Sequence, residues 1–191
     1  DSLRENEVMS LKTRFGNLGN ILDFENLTKD NIYVLESPIL SNSQFEKFTV
    51  FFKDSLKVLD CTFDVQTNLK KRLDQLCSEA EIAVREGCKH LILSDKKISE
   101  KKAAIPMILA FGAINSKLVN LGIRGFVSIN VQTGEVLDTH SFAVLLGVGA
   151  TTINPYLVFD SIYQRYEKKL FGKFSYEECI QRYIKSVDNG L

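Results

Sequence analysis

The chain alternates short apolar runs with longer segments in which apolar residues recur at helical spacing, and this rhythm limits its fold more than any other feature. The short runs are rich in β-branched and aromatic residues and cover residues 31–35, 56–63, 90–93 and 125–131. Helical patterns of ten or more residues cover 69–84, 106–122 and 155–170. Strands that alternate with helices of this length form βα units with right-handed crossovers. The sequence therefore predicts an α/β fold in which helices flank a mainly parallel sheet, either open or arranged as a degenerate, partly open barrel.

Local signals mark where several helices begin. Residues 43–46 and 175–178 both have the form of a capping box, in which a serine and the glutamate three positions later satisfy each other's backbone N–H groups. Thr152 or Asn154 can cap a helix that begins at Pro155, where the missing N–H of proline costs nothing. These signals predict one helix after residue 43, one from Pro155 and a last one after residue 175.

Composition excludes several classes of partner. The length of 191 residues fits one domain or one piece of a larger enzyme, and a hydrophobic share of 45% is enough to build a core. Lysine plus arginine equals aspartate plus glutamate, at 24 each, so the chain carries no electrostatic footprint for nucleic acid or an anionic membrane. No apolar run reaches about 18 residues, the length that a membrane-spanning helix needs. We therefore expect neither nucleic acid nor a membrane as a partner.

The cysteines indicate a reducing compartment. They lie far apart and form no CxxC pair, at Cys61, Cys77, Cys88 and Cys179. This spacing is typical of reduced, mostly buried thiols, so we expect a cytoplasmic protein. The four cysteines and two histidines form no paired ligand motif, so we expect neither a zinc nor an iron–sulfur site.

Ser94 and Asp95 are the first candidates for a pocket. They directly follow the apolar run at 90–93, and ligands in open α/β sheets collect at the carboxyl ends of strands. An aspartate at this place can hold a ligand hydroxyl. The more frequent role is structural, in which Asp95 caps a helix or pairs with Lys96 or Lys97.

Two further features belong to the same candidate pocket. The glycine-rich run from Gly147 to Thr152, which includes Gly149, can cradle a phosphate with backbone N–H groups. It lacks the full spacing of a dinucleotide-binding loop and the lysine of a P-loop, and close packing of helices is the more frequent role. His140 has Asp138 two residues before it, which allows a base and an orienting carboxylate. A hydrogen-bonded structural histidine is the more frequent role here too.

Five runs of residues resemble one known family. Residues 145–157 read LLGVGATTINPYL, and residues 1–5, 13–22, 91–95 and 104–110 read DSLRE, TRFGNLGNIL, LILSD and AIPMILA. Each run is similar to a run in the central domain of glutamate synthase large subunits, and the runs occur in the same order. The chain therefore resembles that domain along nearly its whole length.

The chain also departs from the family's pattern. The family's run of histidines is replaced by Asn115, Ser116 and Lys117, the second histidine of a pair by Ser141, and a tyrosine by Val148. The roles of those family side chains are therefore not carried over to this chain.

The resemblance implies a function for a longer protein. Glutamate synthases convert glutamine and 2-oxoglutarate into two glutamates. A glutaminase domain releases ammonia, and a later domain carries FMN and a three-iron (3Fe-4S) cluster. The central domain lies between them and contributes walls to the ammonia channel. For this chain, the resemblance implies a scaffold domain with no turnover, cofactor or metal of its own.

The same resemblance implies partners and boundaries. The partners would be the glutaminase and FMN-binding domains of the same polypeptide, together with an electron-donating small subunit or ferredoxin. The parent enzyme would use either NAD(P)H or ferredoxin. Both ends of the chain look like domain boundaries, so we expect a segment excised from a longer polypeptide, with an irregular part at 1–30 and an α/β body at 31–191. We expect contacts with the channel or a neighbouring domain from Arg4, Glu5, Arg14, Gly16, Asn17, Gly19 and Asn20.

A second hypothesis comes from another class of protein. The chain could be a free-standing α/β protein that binds a small ligand or a flavin. Its pocket would then be formed by Ser94, Asp95 and residues 147–152.

Overall fold

The computed structural model describes residues 10–15 and 32–191. Its contacts divide the chain into two compact units, Asp1–Pro38 and Ile39–Leu191. In the described part of the first unit, β1 (Thr13–Phe15) pairs with β2 (Tyr33–Leu35) in an antiparallel ladder. Arg14, which the sequence assigned to the irregular part at 1–30, is the middle residue of β1 and pairs with Val34 in this ladder.

The second unit contains six helices and six strands. The helices are α1 (Asn42–Phe51), α2 (Leu69–Arg85), α3 (Met107–Asn120), α4 (Thr139–Gly147), α5 (Tyr156–Glu167) and α6 (Tyr176–Asp188). The strands are β3 (Leu56–Asp60), β4 (Thr62–Asp64), β5 (His90–Ser94), β6 (Lys102–Ala104), β7 (Ser128–Gln132) and β8 (Thr152–Asn154). This order confirms the predicted alternation of strands and helices.

Four of these strands form the central parallel sheet. Their order is β3-β5-β7-β8, so neighbours in the sheet follow one another along the chain. Beyond β8, Ile39 forms a parallel bridge to Ile153, and the Leu40 N–H donates to the Ile153 carbonyl at 2.9 Å. Within the described residues the sheet does not close into a barrel. The predicted α/β class with a mainly parallel sheet is confirmed.

The two faces of the sheet differ in polarity. Register pairing places Leu59, Leu93, Val131 and Ile153 in one row across the four strands, and all four side chains are buried in the main core. Residues of α2 and α3 belong to the same core cluster. Because successive side chains along a strand point to opposite faces, the neighbouring row falls on the other face. That row consists of polar residues and forms the candidate site.

Two sequence predictions about strands require correction. Residues 56–63 do not form one strand, because Asp60 Oδ1 accepts from both the N–H and the Oγ1 of Thr62, at 3.1 and 2.7 Å. This local turn separates β3 from β4, which pairs with β6 in a second sheet. Strand β8 was not predicted from the sequence. Thr152 and Asn154 are buried strand residues and do not cap α5, whose N-cap position is Pro155 without a side-chain hydrogen bond.

The capping predictions divide in the same way. The box at Ser175 is confirmed, since its Oγ accepts from the Glu178 N–H and the Glu178 side chain accepts from the Ser175 N–H. The box expected at Ser43 is wrong. Ser41 caps α1 instead, with Gln44 as its partner at 3.0 and 3.3 Å.

Candidate functional site

A row of polar side chains lies at the carboxyl ends of three neighbouring strands. Ser94, Gln132 and Asn154 are register partners at the last positions of β5, β7 and β8. Ser94 Oγ donates to Gln132 Oε1 at 2.8 Å, and Gln132 Nε2 donates to Asn154 Oδ1 at 3.2 Å. Asn154 Nδ2 donates onward to Asn42 Oδ1 at 3.0 Å and to the Leu40 carbonyl at 2.9 Å. The row therefore links the ends of the strands to the start of α1.

Asp95 continues this network at the next position. It is fully buried, and its Oδ2 accepts from Thr133 Oγ1 at 2.5 Å. Both carboxylate oxygens accept from the Gly134 N–H, at 3.1 and 3.2 Å. Burial, with the nearby and hydrogen-bonded Asp95 carboxylate as the next cause, raises the pKa of Tyr156 to about 12. Asp95 thus fastens the turn after β7 and the start of α5 to the end of β5.

The structural role of Asp95 differs from those expected from the sequence. It neither caps a helix nor pairs with a lysine. Lys97 Nζ lies 3.9 Å from Asp60 Oδ2, and Lys96 Nζ lies 5.8 Å from the centre of the Tyr156 ring. The carboxylate instead accepts a hydrogen bond from the Thr133 hydroxyl, at the position where the sequence predicted that it can hold a ligand hydroxyl.

A second polar cluster lies further back on the same face of the sheet. His90 Nδ1 is 2.8 Å from Ser128 Oγ, which also accepts from Asn130 Nδ2 at 3.1 Å. Thr152 Oγ1 donates to Asn130 Oδ1 at 2.8 Å. The His90 ring lies 4.0 Å from the Phe52 ring, centre to centre. Burial, and after it the charge of the adjacent lysine, lowers the pKa of His90 to about 4, so the imidazole is neutral at pH 7.

These polar groups satisfy one another. In the part of the chain that the structure describes, no buried side-chain nitrogen or oxygen lacks a hydrogen-bond partner. A buried polar network that is fully paired rigidifies a fold, whereas an unpaired group would be costly. The arrangement can therefore hold the strand ends and their loops in fixed positions.

His140 lies in a separate groove between α3 and α4. The groove has a volume of about 250 Å³ and is lined by Met107, Ile108, Glu135, Val136, His140, Ser141, Val144 and Leu145. Asp138 caps α4, because its Oδ1 accepts from the N–H and the Oγ of Ser141, at 2.9 and 2.7 Å. These bonds lower the pKa of Asp138. The Asp138 carboxylate thus caps the N-terminus of α4 and does not orient His140 as a base.

The two glycines of the candidate pocket have different surroundings. A Cβ on Gly147 would meet no atom within 4 Å, so close packing does not explain this glycine. Gly149 has a φ of +110°, a conformation that L side chains rarely adopt. Its carbonyl accepts from Arg124 at 3.0 Å. Among the described residues, no hydrogen bond connects Gly147 or Gly149 to Ser94 or Asp95.

Several departures from the family's pattern have structural roles. Asn115 Oδ1 accepts from Arg124 Nε at 2.7 Å, and burial lowers the pKa of this guanidinium. Lys117 pairs with Glu81 at 3.2 Å and so links α3 to α2. Val148 is the C-cap residue of α4. The replacements therefore contribute to the packing of this chain.

Six of the predicted site residues lie outside the described residues, so their expected contacts remain predictions. The positions outside are Arg4, Glu5, Gly16, Asn17, Gly19 and Asn20. Within 10–15 and 32–191, no three histidine, cysteine, aspartate or glutamate residues are placed to hold a metal ion. Across the same residues no helix is long and apolar enough to cross a membrane.

Sequence reasoning missed most members of the polar row. Ser94 and Asp95 were predicted as pocket residues, whereas Gln132 and Thr133 were not, and Asn154 was predicted only as a possible helix cap. A polar residue that ends an apolar run was the available signal for Gln132. No such signal existed for Asn154, because its three-residue strand was not recognised.

The comparisons with known proteins agree on one family. The family model of the glutamate synthase central domain matches residues 1–191. The chain is 46% identical to the glutamate synthase [NADPH] large chain of Azospirillum brasilense and 35% identical to that of Bacillus subtilis. It is 37% identical to the chloroplastic ferredoxin-dependent glutamate synthase of Oryza sativa subsp. japonica. Each match covers 100% of this chain but only 12–13% of the relative, so the chain spans about an eighth of their length.

Proposed function

Because the chain belongs to the glutamate synthase central domain family, we propose that it joins a glutaminase domain to a synthase domain within a longer polypeptide. The observation that carries the proposal is the match of the whole chain to about an eighth of proteins named glutamate synthase. A domain of this size within such a protein has neighbours on the same chain. Its surface residues then form contacts with these neighbours, in addition to stabilising the domain's own fold.

The internal structure supports a positioning role. The strand ends that could form a pocket are tied together by hydrogen bonds among Ser94, Gln132 and Asn154. Asp95 is likewise bonded to the turn at Thr133 and Gly134. A rigid domain holds two catalytic neighbours at a fixed separation better than a flexible linker does.

The finer part of the proposal concerns ammonia. Ammonia that escapes into water is protonated and lost to the next reaction, so transfer between two sites needs a closed path. We propose that the chain contributes walls to this path through Arg4, Glu5, Arg14, Gly16, Asn17, Gly19 and Asn20. These residues are polar or small, and they lie near the start of the chain, on the side that follows the glutaminase domain. FMN and the 3Fe-4S cluster would belong to the synthase domain.

Expression of the full-length reading frame tests the function. We expect it to form glutamate from glutamine and 2-oxoglutarate with NADPH or reduced ferredoxin as the electron donor. A reading frame without a glutaminase segment, or a full-length protein without this activity, would refute the proposal.

An isotope experiment tests the ammonia path separately. Glutamine labelled with ¹⁵N in its amide is supplied together with excess unlabelled ammonium. We expect undiluted label in the α-amino group of the new glutamate. The double variant Gly16→Val/Gly19→Val should obstruct the path, so that labelled ammonia escapes and unlabelled ammonium dilutes the label in glutamate. The control Gly125→Ala, where a Cβ meets no atom within 4 Å, should not dilute the label. Equal dilution in all three proteins would exclude these residues from the path.

The alternative of a free-standing flavin-binding protein has its own test. Titration of the purified chain with FMN should give no saturable binding. Tight binding of one FMN per chain would favour the alternative over the proposed domain.

A further inference from the structure

Helices α3 and α4 present an outer surface with a single charged residue. Lys117 is the single aspartate, glutamate, lysine or arginine residue in the two helices, and it is paired with Glu81 of α2. The exposed apolar side chains on these helices are Ile108, Leu109, Val119, Val144 and Val148, which together define the α3–α4 face. Their exposed fractions run from 38% to 55%.

The other long helices of this unit are built differently. On α2 the exposed side includes Lys70, Lys71 and Glu79, and on α6 it includes Glu177 and Arg182. Such amphipathic helices have one apolar side against the core and one charged side in water. Large exposed apolar patches on a protein mark interaction sites.

The α3–α4 face also contains a recess that suits an inserted side chain. The groove of about 250 Å³ has buried apolar residues at its floor, including Met107 and Leu145. Ile108 and Val144 also line it, together with the exposed side chains of Glu135 and His140. A recess of this kind can take an apolar side chain from a partner, as the central pockets of protein interfaces do.

The last residues of the chain lie beside this face. A Cβ on Gly190 would come within 2.7 Å of Thr139 Cγ2, so the end of α6 packs against the first residue of α4. Thr139 directly precedes His140 and Ser141, which line the groove. A polypeptide that continues past Leu191 would therefore start within reach of the α3–α4 face.

We propose that the α3–α4 face is the docking surface for the domain that follows Leu191 in the longer polypeptide, and that an apolar side chain of that domain fills the groove. This inference rests on the proposed function, which supplies the longer polypeptide. The occupant is a mainly apolar protein surface, because a charged group placed against Ile108 and Val144 would be desolvated without a partner.

Thiol labelling of the full-length protein tests the burial of this face. The Val144→Cys variant is compared with Ile82→Cys, whose position on the charged helix α2 is 56% exposed. We expect a charged maleimide to modify the thiol of Val144→Cys at least about tenfold more slowly than that of Ile82→Cys under native conditions, because a covered thiol is shielded. Both should react alike after denaturation. Equal native rates would overturn the proposal.

A photo-crosslink identifies the occupant. The residue p-benzoylphenylalanine replaces Val148 at the edge of the face, and the crosslinked peptides are identified by mass spectrometry. Crosslinks to residues after Leu191 of the same chain are expected. Crosslinks to the glutaminase side or to a second copy would overturn the assignment. Glutamate formation is measured on the same preparation, so that failure of the proposed function is seen independently of the labelling result.

Discussion

His90 is a single residue that should make the stability of this fold depend on pH. Burial lowers its pKa in the folded protein from 6.5 to about 4, so the unfolded chain binds more protons between these two values. The contribution of His90 to stability is therefore complete above pH 6.5, decreases as the pH falls and is largely lost by pH 4. The shift corresponds to a loss of at most about 3 kcal/mol.

Denaturant unfolding at a series of pH values from 8 to 4 measures this effect. The His90→Gln variant should lose stability at pH 8, because the ring contact with Phe52 is removed, but it should show a flatter dependence on pH. His140 is exposed, so His140→Gln should keep the dependence of the parent. An unchanged slope in His90→Gln would show that another group is responsible.

Asp95 is the second residue whose loss should be severe. Asp95→Ala leaves the Thr133 hydroxyl and the Gly134 N–H without their buried acceptor. We expect a loss of about 3 kcal/mol in the free energy of unfolding, in the range for breaking a buried hydrogen-bond network. Asp95→Asn keeps one acceptor oxygen and should cost less. The exposed control Asp74→Ala should stay within about 0.5 kcal/mol of the parent, and a similar loss there would contradict the assignment.

At the level of the helices, α1 offers a direct test of which serine is its cap. Ser41→Ala removes the acceptor for the Gln44 N–H and should reduce the free energy of unfolding by about 1 kcal/mol. Ser43→Ala affects an exposed residue inside the first turn and should change little, since alanine is the better helix former. Thermal unfolding compares the two variants. If Ser43→Ala were the less stable variant, Ser43 would be the cap, as the sequence predicted.

The end of α4 allows a second comparison, between two glycines two positions apart. Gly149→Ala forces a side chain into a φ of +110° and should destabilise the protein by about 1–2 kcal/mol. Gly147→Ala lies within the helix with open space around its Cβ and should stabilise it by up to about 1 kcal/mol. Chemical denaturation distinguishes these effects, and equal effects would refute the distinction.

The elements that the sequence predicted share a physical property. The helix after residue 69, the buried strand at 90–93 and the helix between Pro106 and Gly122 all have apolar patterns long enough to be recognised without their neighbours. The capping box at Ser175 is equally local, because its donor and acceptor are three residues apart. Local information was sufficient for these elements.

The elements and contacts that the sequence did not predict depend on distant parts of the chain. Strand β8 has three residues and exists because β7 pairs with it. The bond between Asn154 and the Leu40 carbonyl joins positions 114 residues apart. Asp95 and Thr133 are separated by 38 residues. Spacing in the sequence shows that a polar residue ends a strand, but not which other strand end it will contact.

At the level of the whole molecule, charge is distributed unevenly over the helical layer. Helices α2 and α6 carry acidic and basic residues, whereas α3 and α4 contain only Lys117. The balance of 24 basic and 24 acidic residues therefore conceals one side of α3 and α4 that lacks charge. The net charge of the chain does not show this asymmetry.

This asymmetry predicts how the 191-residue chain should behave by itself. With the α3–α4 face uncovered, the chain should associate reversibly as its concentration rises, because apolar patches rimmed by polar residues promote association. Leu109→Lys combined with Val144→Lys should suppress the association, since each cation would be desolvated in the contact. The control Ile82→Lys adds charge on α2, which is already charged, and should not suppress it. Sedimentation velocity over a range of concentrations measures the effect, and suppression by the control as well would mean that net charge, rather than this face, governs association.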